Sequence, residues 1–337
     1  MLSGSGEECV SGKYEPEKYE LELGGDLFRV PVHQLITPLT RCRDVTLDIM
    51  RLDQIHPLVS GNKWFKLKPA IESARKTGMP VLSFGGAWSN HIHALAYAGA
   101  HFSVPTLGII RGEPEYASNA MLTDARRWGM KLHFVTRAEY RQRTHPDYLQ
   151  SLLERFGPGH LVPEGGSQAA ALPAVASIWQ HPVFSEREYD AVFLPVGTGG
   201  TLAGVLFGAP SNVEVIGVPV LKYGEWLEQD ISALLQQAGG AVRCKWSLDP
   251  ASQGAGYARL NAEEAALVRQ MQDGYGLDLD PVYTVKALRA LQRRIVQCRI
   301  KPHSRILMLH TGGLQGNRGF ADRLSALAPE FVGPLPL

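Results

Sequence analysis

Two lysines one helical turn apart and three glycine-bearing turns hold most of the chemistry that this sequence offers. The first group is Ser60-Gly61-Asn62-Lys63-Trp64-Phe65-Lys66-Leu67, which opens a helical pattern. A lysine at a helix entrance meets the positive end of the helix dipole, where an acid would be favoured. Lys63 and Lys66 share a helix face. Two solvated surface lysines would satisfy that pattern. So would a pair in which one lysine loses its charge as an imine and the other faces an anion. In the second group, Phe84-Gly85-Gly86-Ala87-Trp88-Ser89-Asn90-His91, a strand ends, two glycines turn the chain and a helix begins. Ser89 could act there as an N-cap alone. Alternatively Ser89, Asn90 and His91 present a hydroxyl, an amide and an imidazole to a strand-end cleft. His91 and His93 point to different helix faces, so a metal pair is not expected.

The third group is Val196-Gly197-Thr198-Gly199-Gly200-Thr201-Leu202. A glycine-rich turn after a buried strand exposes backbone N–H groups at a helix N-terminus, which suits a phosphate without any charged side chain. A tight turn with no ligand is the plain alternative. No Lys-Ser or Lys-Thr follows, so this is not a P-loop. Leu202 stands where a dinucleotide fingerprint needs its third glycine, and residues 217–222 offer no acid for a ribose hydroxyl. Three weaker groups follow: Gly254-Ala255-Gly256-Tyr257, Asp280-Pro281-Val282-Tyr283-Thr284 and His310-Thr311-Gly312-Gly313. A tyrosine beside a turn is ordinarily a packed ring with its hydroxyl in water. Taken together, a lysine, a phosphate cradle without ribose recognition and polar groups at strand ends point to pyridoxal phosphate.

These groups need a scaffold, and the sequence supplies an alternation of apolar runs and helical patterns. The runs are 81–84, 106–110, 132–135, 191–196, 213–220 and 305–310. Helices are expected at 63–76, 89–101, 119–128, up to about 156, and at 201–207, 225–237, 262–272, 285–296 and 318–327. Such alternation predicts an α/β protein with mainly parallel sheets. Strands such as AVFLPV and RILMLH lack period-two alternation, as parallel strands buried on both faces do. Ligands in such sheets sit at the carboxyl ends of the strands. Three of these runs end in glycines, at Gly85-Gly86, Gly197–Gly200 and Gly312-Gly313.

The 337 residues suggest two domains, and 45% apolar with 20% charged residues indicates a globular chain. A net charge of +1 (34 basic against 33 acidic residues) gives no sign of a nucleic-acid surface or a polybasic membrane patch. Cys9, Cys42, Cys244 and Cys298 form no C-x-x-C spacing, so neither a zinc knuckle nor a disulfide framework is expected, and the compartment reads as reducing. Acids near the N-terminus stand where a signal peptide needs an apolar core, and the chain is therefore expected in the cytoplasm. The uncharged run 191–213 is long enough to cross a bilayer but contains Pro195, Pro210 and five glycines. It reads as strand, turn and helix, with no membrane association.

In their order, SGNKWFKL, GGAWSNH, PEGGS (163–167), GTGGT, GAGY, DPVYT and HTGG resemble the 1-aminocyclopropane-1-carboxylate deaminase/D-cysteine desulfhydrase family. That family belongs to the fold-type II pyridoxal-phosphate enzymes, the tryptophan synthase β-like group. The resemblance runs from about residue 38 to 313. It implies two domains, each with a mainly parallel sheet flanked by helices, and the cofactor between them. The large domain would be 26–65 with 182–337, the small inserted domain 66–181, and 1–25 an extension. It also implies a homodimer acting on a small amino acid. Lys63 would be the Schiff-base lysine, and Lys66 would approach the phosphate. Asn90 would bond the cofactor's phenolic oxygen, and Gly197, Thr198, Gly199, Gly200 and Thr201 would hold the phosphate. Ser89 and His91 would face the substrate, with Ser89 near its carboxylate, and Tyr257 and Tyr283 would stand beside ring and substrate.

Thr284 and Thr311 occupy the two positions at which ring-opening deaminases carry Glu and Leu, and both match the desulfhydrase side. A carboxylate at the pyridine nitrogen keeps it protonated, whereas threonine leaves a weaker electron sink that suits expulsion of a good leaving group. The implied reaction is α,β-elimination from a D-amino acid with Lys63 as general base. D-cysteine would give pyruvate, ammonia and hydrogen sulfide. The alternatives are a 1-aminocyclopropane-1-carboxylate deaminase and a pyridoxal-phosphate-binding protein without turnover. Trp64 and Trp88 depart from the family pattern, and both are expected near the pocket. Arg51-Leu52-Asp53-Gln54 retains one acid of a segment that usually carries two.

Overall fold

The computed structural model describes residues 27–220, 225–249 and 259–328. The expected extension 1–25 and the turn that carries Tyr257 lie outside the described residues. Ten strands are present among those described: β1 (Val32–Gln34), β2 (Thr46–Met50), β3 (Val81–Gly86), β4 (Thr106–Arg111), β5 (Lys131–Val135), β6 (His160–Val162), β7 (Ala191–Val196), β8 (Glu214–Pro219), β9 (Lys245–Leu248) and β10 (Arg305–Leu309). They form a six-stranded sheet of order β1-β2-β10-β7-β8-β9 and a four-stranded sheet of order β5-β4-β3-β6. β1 runs antiparallel to β2, and every other pairing is parallel. The expected α/β class with two mainly parallel sheets is what forms.

Each sheet buries both faces, which is why its strands read as continuous apolar runs. In the larger sheet, Val192, Leu194, Leu307 and Leu309 enter one core while Ala191, Phe193, Ile306 and Met308 enter another. In the smaller sheet, Val81 and Ile110 face one layer, and Leu82, Phe84, Leu107 and Ile109 the other. Four strands carried no signal in the sequence. β1 and β6 are three residues long, β9 is half polar, and Asp48 breaks the run of β2.

The Asn62–Thr77 helix belongs to both layers. Trp64, Leu67, Ile71 and Ala74 pack into the core of the smaller sheet, and Phe65 enters that of the larger. The domain limit expected at residue 66 therefore falls inside a continuous helix. Further on, Leu172, Val175 and Ile178 are buried with the larger sheet. The Gly200–Gly208 helix crosses them closely: a Cβ on Gly204 would lie 2.4 Å from Cβ of Val175.

Trp64 is not at a pocket, contrary to expectation. It is buried and stacks on Phe102 with ring centroids 5.9 Å apart. One position along the helix from Lys63 turns it about 100° away from the face that the lysines share. Trp88 stays at the surface, 43% exposed, and its ring underlies the turn at Gly319. The uncharged run 191–213 folds as β7, a turn and the Gly200–Gly208 helix, and no helix among the described residues is long and apolar enough to cross a membrane. Cys42, Cys244 and Cys298 are all unbonded.

Candidate active site

The carboxyl ends of β3, β7 and β10 lead into the three glycine turns, and the Asn62–Thr77 helix enters among them. Its entrance is fixed by backbone. Gly61 takes φ +69°, and a Cβ there would fall 1.9 Å from the Thr311 carbonyl oxygen. The Asn62 amide donates to that same oxygen at 3.3 Å. Only glycine allows such contact between the start of this helix and the turn after β10.

A buried ionic group stands behind that contact. Arg51 Nη2 lies 2.7 Å from Asp53 Oδ2, and His310 Nδ1 lies 3.0 Å from Asp53 Oδ1. His310 Nε2 donates to the Asp278 carbonyl at 2.7 Å. Burial alone would raise the Asp53 pKa, but hydrogen bonds from His310 and Arg51 outweigh it and hold the carboxyl at about 2. This group was missed in the sequence, because its members lie on β2's exit and on β10's exit and meet only when those strands pair.

Lys63 Nζ donates to Asn62 Oδ1 at 2.7 Å and stands 5.9 Å over the Tyr283 ring. Burial lowers its pKa to about 8, with the Asp280 carboxylate pulling the other way. Lys66 Nζ donates to Ser167 Oγ at 3.1 Å. Its pKa is pushed well below the usual lysine range by burial and then by the charge of Lys63. An anion placed between these amines would relieve both costs. Half of the Lys63 amine should therefore be neutral near pH 8. In cofactor-free protein, acetylation of Lys63 by acetic anhydride, read by peptide mass spectrometry against pH, should show its midpoint near 8. A midpoint at the ordinary lysine value of 10.5 would overturn this account of its burial.

Ser167 and Thr198 hydroxyls are 2.6 Å apart, and Asn62 Nδ2 donates to Thr201 Oγ1 at 2.6 Å. Both segments thus converge on the Gly197–Thr201 turn. Gly199 takes φ +80° and starts the apolar Gly200–Gly208 helix, whose first N–H groups have no partner within the helix. A Cβ on Gly200 would lie 2.5 Å from Ser167 Oγ, and one on Gly197 would lie 3.1 Å from Tyr283 Cε1. Replacing Gly200 with alanine should push Ser167 away from Lys66 and Thr198 and weaken cofactor retention by roughly tenfold or more. Dialysis against buffer with cofactor absorbance as the readout checks this, and unchanged retention would refute it.

Ser89 caps the Asn90–His101 helix, its hydroxyl accepting from the Ile92 amide at 3.3 Å. Asn90 Oδ1 is buried without a hydrogen-bond partner. His91 is buried, and its Nε2 lies 2.8 Å from the Ser83 hydroxyl, which itself donates to the Val162 carbonyl. His91 therefore carries its proton on Nε2. Its Nδ1 is also buried without a partner and lies beside the Gly166 turn, where a Cβ would come within 3.4 Å of it. Thr284 is fully buried; its hydroxyl accepts from the Asp280 amide at 2.7 Å and lies 2.8 Å from Asp280 Oδ1. Asp280 also accepts from the Val282, Tyr283 and Thr284 amides. Thr311 is buried and contributes its carbonyl to the helix entrance. Of the residues expected in the site, Tyr257 alone lies outside the described residues.

The donor set fits pyridoxal phosphate. There is a half-buried amine of lowered pKa, a cradle of N–H and hydroxyl donors backed by a second lysine, and two orphaned buried polar atoms on Asn90 and His91. Among the described residues no cluster of His, Cys, Asp or Glu could hold a metal ion.

Comparison with known proteins identifies the family. The family described as pyridoxal-phosphate dependent enzyme matches residues 31–312. The D-cysteine desulfhydrase of Klebsiella pneumoniae (strain 342) is 29% identical over 282 residues, covering 78% of this chain and 86% of that protein. An Arabidopsis thaliana protein, the mitochondrial bifunctional D-cysteine desulfhydrase/1-aminocyclopropane-1-carboxylate deaminase, is 26% identical over 292 residues, covering 80% of this chain and 72% of that protein. Among solved structures, an ACC deaminase homologue superposes with a TM-score of 0.77 at 23% identity, covering 89% of this chain and 94% of that one. The fold is that of the fold-type II pyridoxal-phosphate enzymes.

Proposed function

Because the chain belongs to the pyridoxal-phosphate dependent enzymes, we propose that it catalyses α,β-elimination from a small D-amino acid, with D-cysteine giving pyruvate, ammonia and hydrogen sulfide. Bound pyridoxal phosphate supplies a conjugated electron sink for the pair left behind when the α-proton departs. Lys63 would hold the cofactor covalently at rest, and its amine, once free, would take the α-proton from bound substrate; in the cofactor-free protein burial already lowers the pKa of that amine. Lys66, Ser167, Thr198, Thr201 and the N–H groups of the glycine turn would hold the phosphate. The Asn90 amide would bond the phenolic oxygen, and the Ser89 hydroxyl would meet the substrate carboxylate. His91, neutral and anchored on Ser83, lines the floor toward Gly166. Tyr283 packs beside Lys63, and either Tyr283 or Tyr257 assists the leaving group.

One observation favours elimination over ring opening. The Asp280 carboxylate next to Thr284 is taken up by three backbone amides and the Thr284 hydroxyl. With threonine at both 284 and 311, a strong electron sink held by a nearby free carboxylate is not supported, and a good leaving group such as thiolate suits the weaker one. A ring-opening deaminase is the second reading, suggested by the bifunctional Arabidopsis relative. We further assign the protein to the cytoplasm as a homodimer, which light scattering of the purified chain would test.

The deciding experiment follows keto-acid release by the loaded enzyme from D-cysteine, L-cysteine and 1-aminocyclopropane-1-carboxylate. Pyruvate from D-cysteine with the other two inert is the expected result. Clear 2-oxobutanoate release from the cyclopropane would replace this reading with the second.

A further inference from the structure

The short 3₁₀ segment Leu314–Gly319 follows the turn after β10 and lies along one face of the Asn90–His101 helix. Asn90 and His93, three apart, share that face. A Cβ on Gly313 would stand 3.0 Å from Asn90 Nδ2, and one on Gly316 would stand 3.5 Å from both Nδ2 and Oδ1. Asn90 Oδ1 has no hydrogen-bond partner, so contact with this backbone is what orients the amide. At the far end, a Cβ on Gly319 would lie 3.0 Å from the Trp88 ring. The segment is a strap that leaves the larger sheet and crosses a helix of the smaller one.

The strap is tied on two sides. On one, Asn317 Nδ2 donates to the Leu279 carbonyl at 3.1 Å and Gln315 Nε2 to the Pro57 carbonyl at 2.7 Å. On the other, the tie is Arg318. Its Nε donates to the Gln315 carbonyl within the strap at 3.2 Å, and its Nη2 donates to Asp124 Oδ2 at 2.7 Å, on the Ala120–Arg127 helix. The same Nη2 lies 3.2 Å from Met121 Sδ and 3.4 Å from His93 Nε2, which is itself 3.1 Å from Asp124 Oδ2. Burial would raise the Asp124 pKa, but hydrogen bonds from His93 and Arg318 outweigh it and hold the carboxyl below its usual value. One planar guanidinium thus spans strap and helix, which a point charge on a flexible stem cannot copy. The Arg318 side chain is 42% exposed, and an ion pair so placed adds little to global stability. What it fixes is the seat of the strap, one helical turn from Asn90.

We propose that Arg318 is a positioning residue: by pinning the Leu314–Gly319 strap to Asp124, it holds the Asn90 amide in the orientation that meets the cofactor's phenolic oxygen. The proposal rests on the role given to Asn90 above. Arg318 itself touches neither cofactor nor substrate.

The test is a double-mutant cycle on the loaded enzyme with Arg318→Gln, Asn90→Ala and the pair combined. Its readouts are the absorption maximum of the bound cofactor, kcat and KM for D-cysteine, and the melting temperature. Arg318→Gln should shift the cofactor band in the same direction as Asn90→Ala and lower kcat by about tenfold, with KM within about twofold. The melting temperature should move by no more than about 2 °C. Asp124→Asn should reproduce the shift from the other side of the ion pair, and Arg318→Lys should recover part of what Arg318→Gln loses. In the Asn90→Ala background, Arg318→Gln should change neither band nor kcat further, because a residue that acts only through Asn90 has nothing left to orient. An independent, additive loss in that background would reduce Arg318 to a structural role and overturn the proposal. An unchanged band in Arg318→Gln, or a shift that Asp124→Asn fails to reproduce, would overturn it as well. An unchanged band in Asn90→Ala would remove both Asn90 and Arg318 from the phenolic oxygen. If D-cysteine releases no pyruvate, the elimination reading fails, while the band shifts of the same four proteins still decide the role of Arg318.

Discussion

Lys63→Ala is expected to reduce turnover of any substrate by a factor on the order of 1,000 or more, because under the proposed function covalent attachment and proton removal both depend on that amine. The loss should fall on kcat, since in the proposed site the Lys66 amine, the Ser167 and Thr198 hydroxyls and the Gly197–Thr201 turn, which converge without Lys63, would still hold the phosphate. The absorption band of the covalently held cofactor should disappear even when pyridoxal phosphate is supplied in excess. The fold should survive, because among the described residues the Lys63 side chain hydrogen-bonds only to its neighbour Asn62. Far-UV circular dichroism and a thermal melt serve as controls. Retention of both band and turnover in Lys63→Ala would remove Lys63 from the chemistry and leave Lys66 as the remaining amine on that helix face.

Asp53→Asn is expected to have the largest effect on stability, about 3 kcal/mol or more. The substitution leaves Arg51 buried with no counter-charge and removes the partner of His310, and uncompensated buried charge carries a cost of that size. Because the folded-state pKa is depressed from 3.8 to about 2, the carboxylate contributes stability that is fully present above pH 4. That contribution fades as pH falls through 2, since the unfolded chain takes up the proton first. The shift corresponds to about 2 kcal/mol, an order-of-magnitude figure for a fully buried group. Urea titrations of both forms at neutral pH and near pH 3 would show it. The gap between wild type and Asp53→Asn should narrow in acid, and a gap under 1 kcal/mol at neutral pH would contradict the ionic account. The variant should also lose cofactor more readily, because His310 leads into the Thr311 carbonyl that pins the entrance of the Lys63 helix.

The glycine turns and the two lysines were legible because their meaning is local. Three apart on a helix is one face, and a glycine-rich turn after a buried strand is an N–H cradle, whatever surrounds it. Trp64 could have been read equally well. Its angle on the helix carries it away from Lys63 and Lys66 toward Leu67 and Ile71, so a bulky residue next to a catalytic lysine in sequence need not be next to it in space. The Arg51–Asp53–His310 group was not legible in that way. Arg51 and Asp53 looked like a depleted acidic segment, and their third member lies 257 residues from Asp53. Only the pairing of β2 with β10 brings them together. Thr284 was legible as a residue type but not as a partner: its hydroxyl is committed to Asp280, four residues earlier, and that follows from the tight turn that starts the helix.

The position of β10 also bears on how the protein is made. β10 is the last strand among the described residues but lies in the interior of the six-stranded sheet, between β2 and β7. While the ribosome moves from the end of β7 to the end of β10, the nascent chain holds two half-sheets with nothing to join them. At about ten residues per second that interval is on the order of ten seconds. Throughout it, β2 and β7 expose unpaired edges of the kind that recruit the wrong strand or the wrong chain. The turn that receives the Lys63 helix does not yet exist, so the growing polypeptide has no place to capture its cofactor. A product truncated before residue 305 would therefore lack the keystone of the sheet, and protein quality control would meet it as an open, adhesive half-molecule.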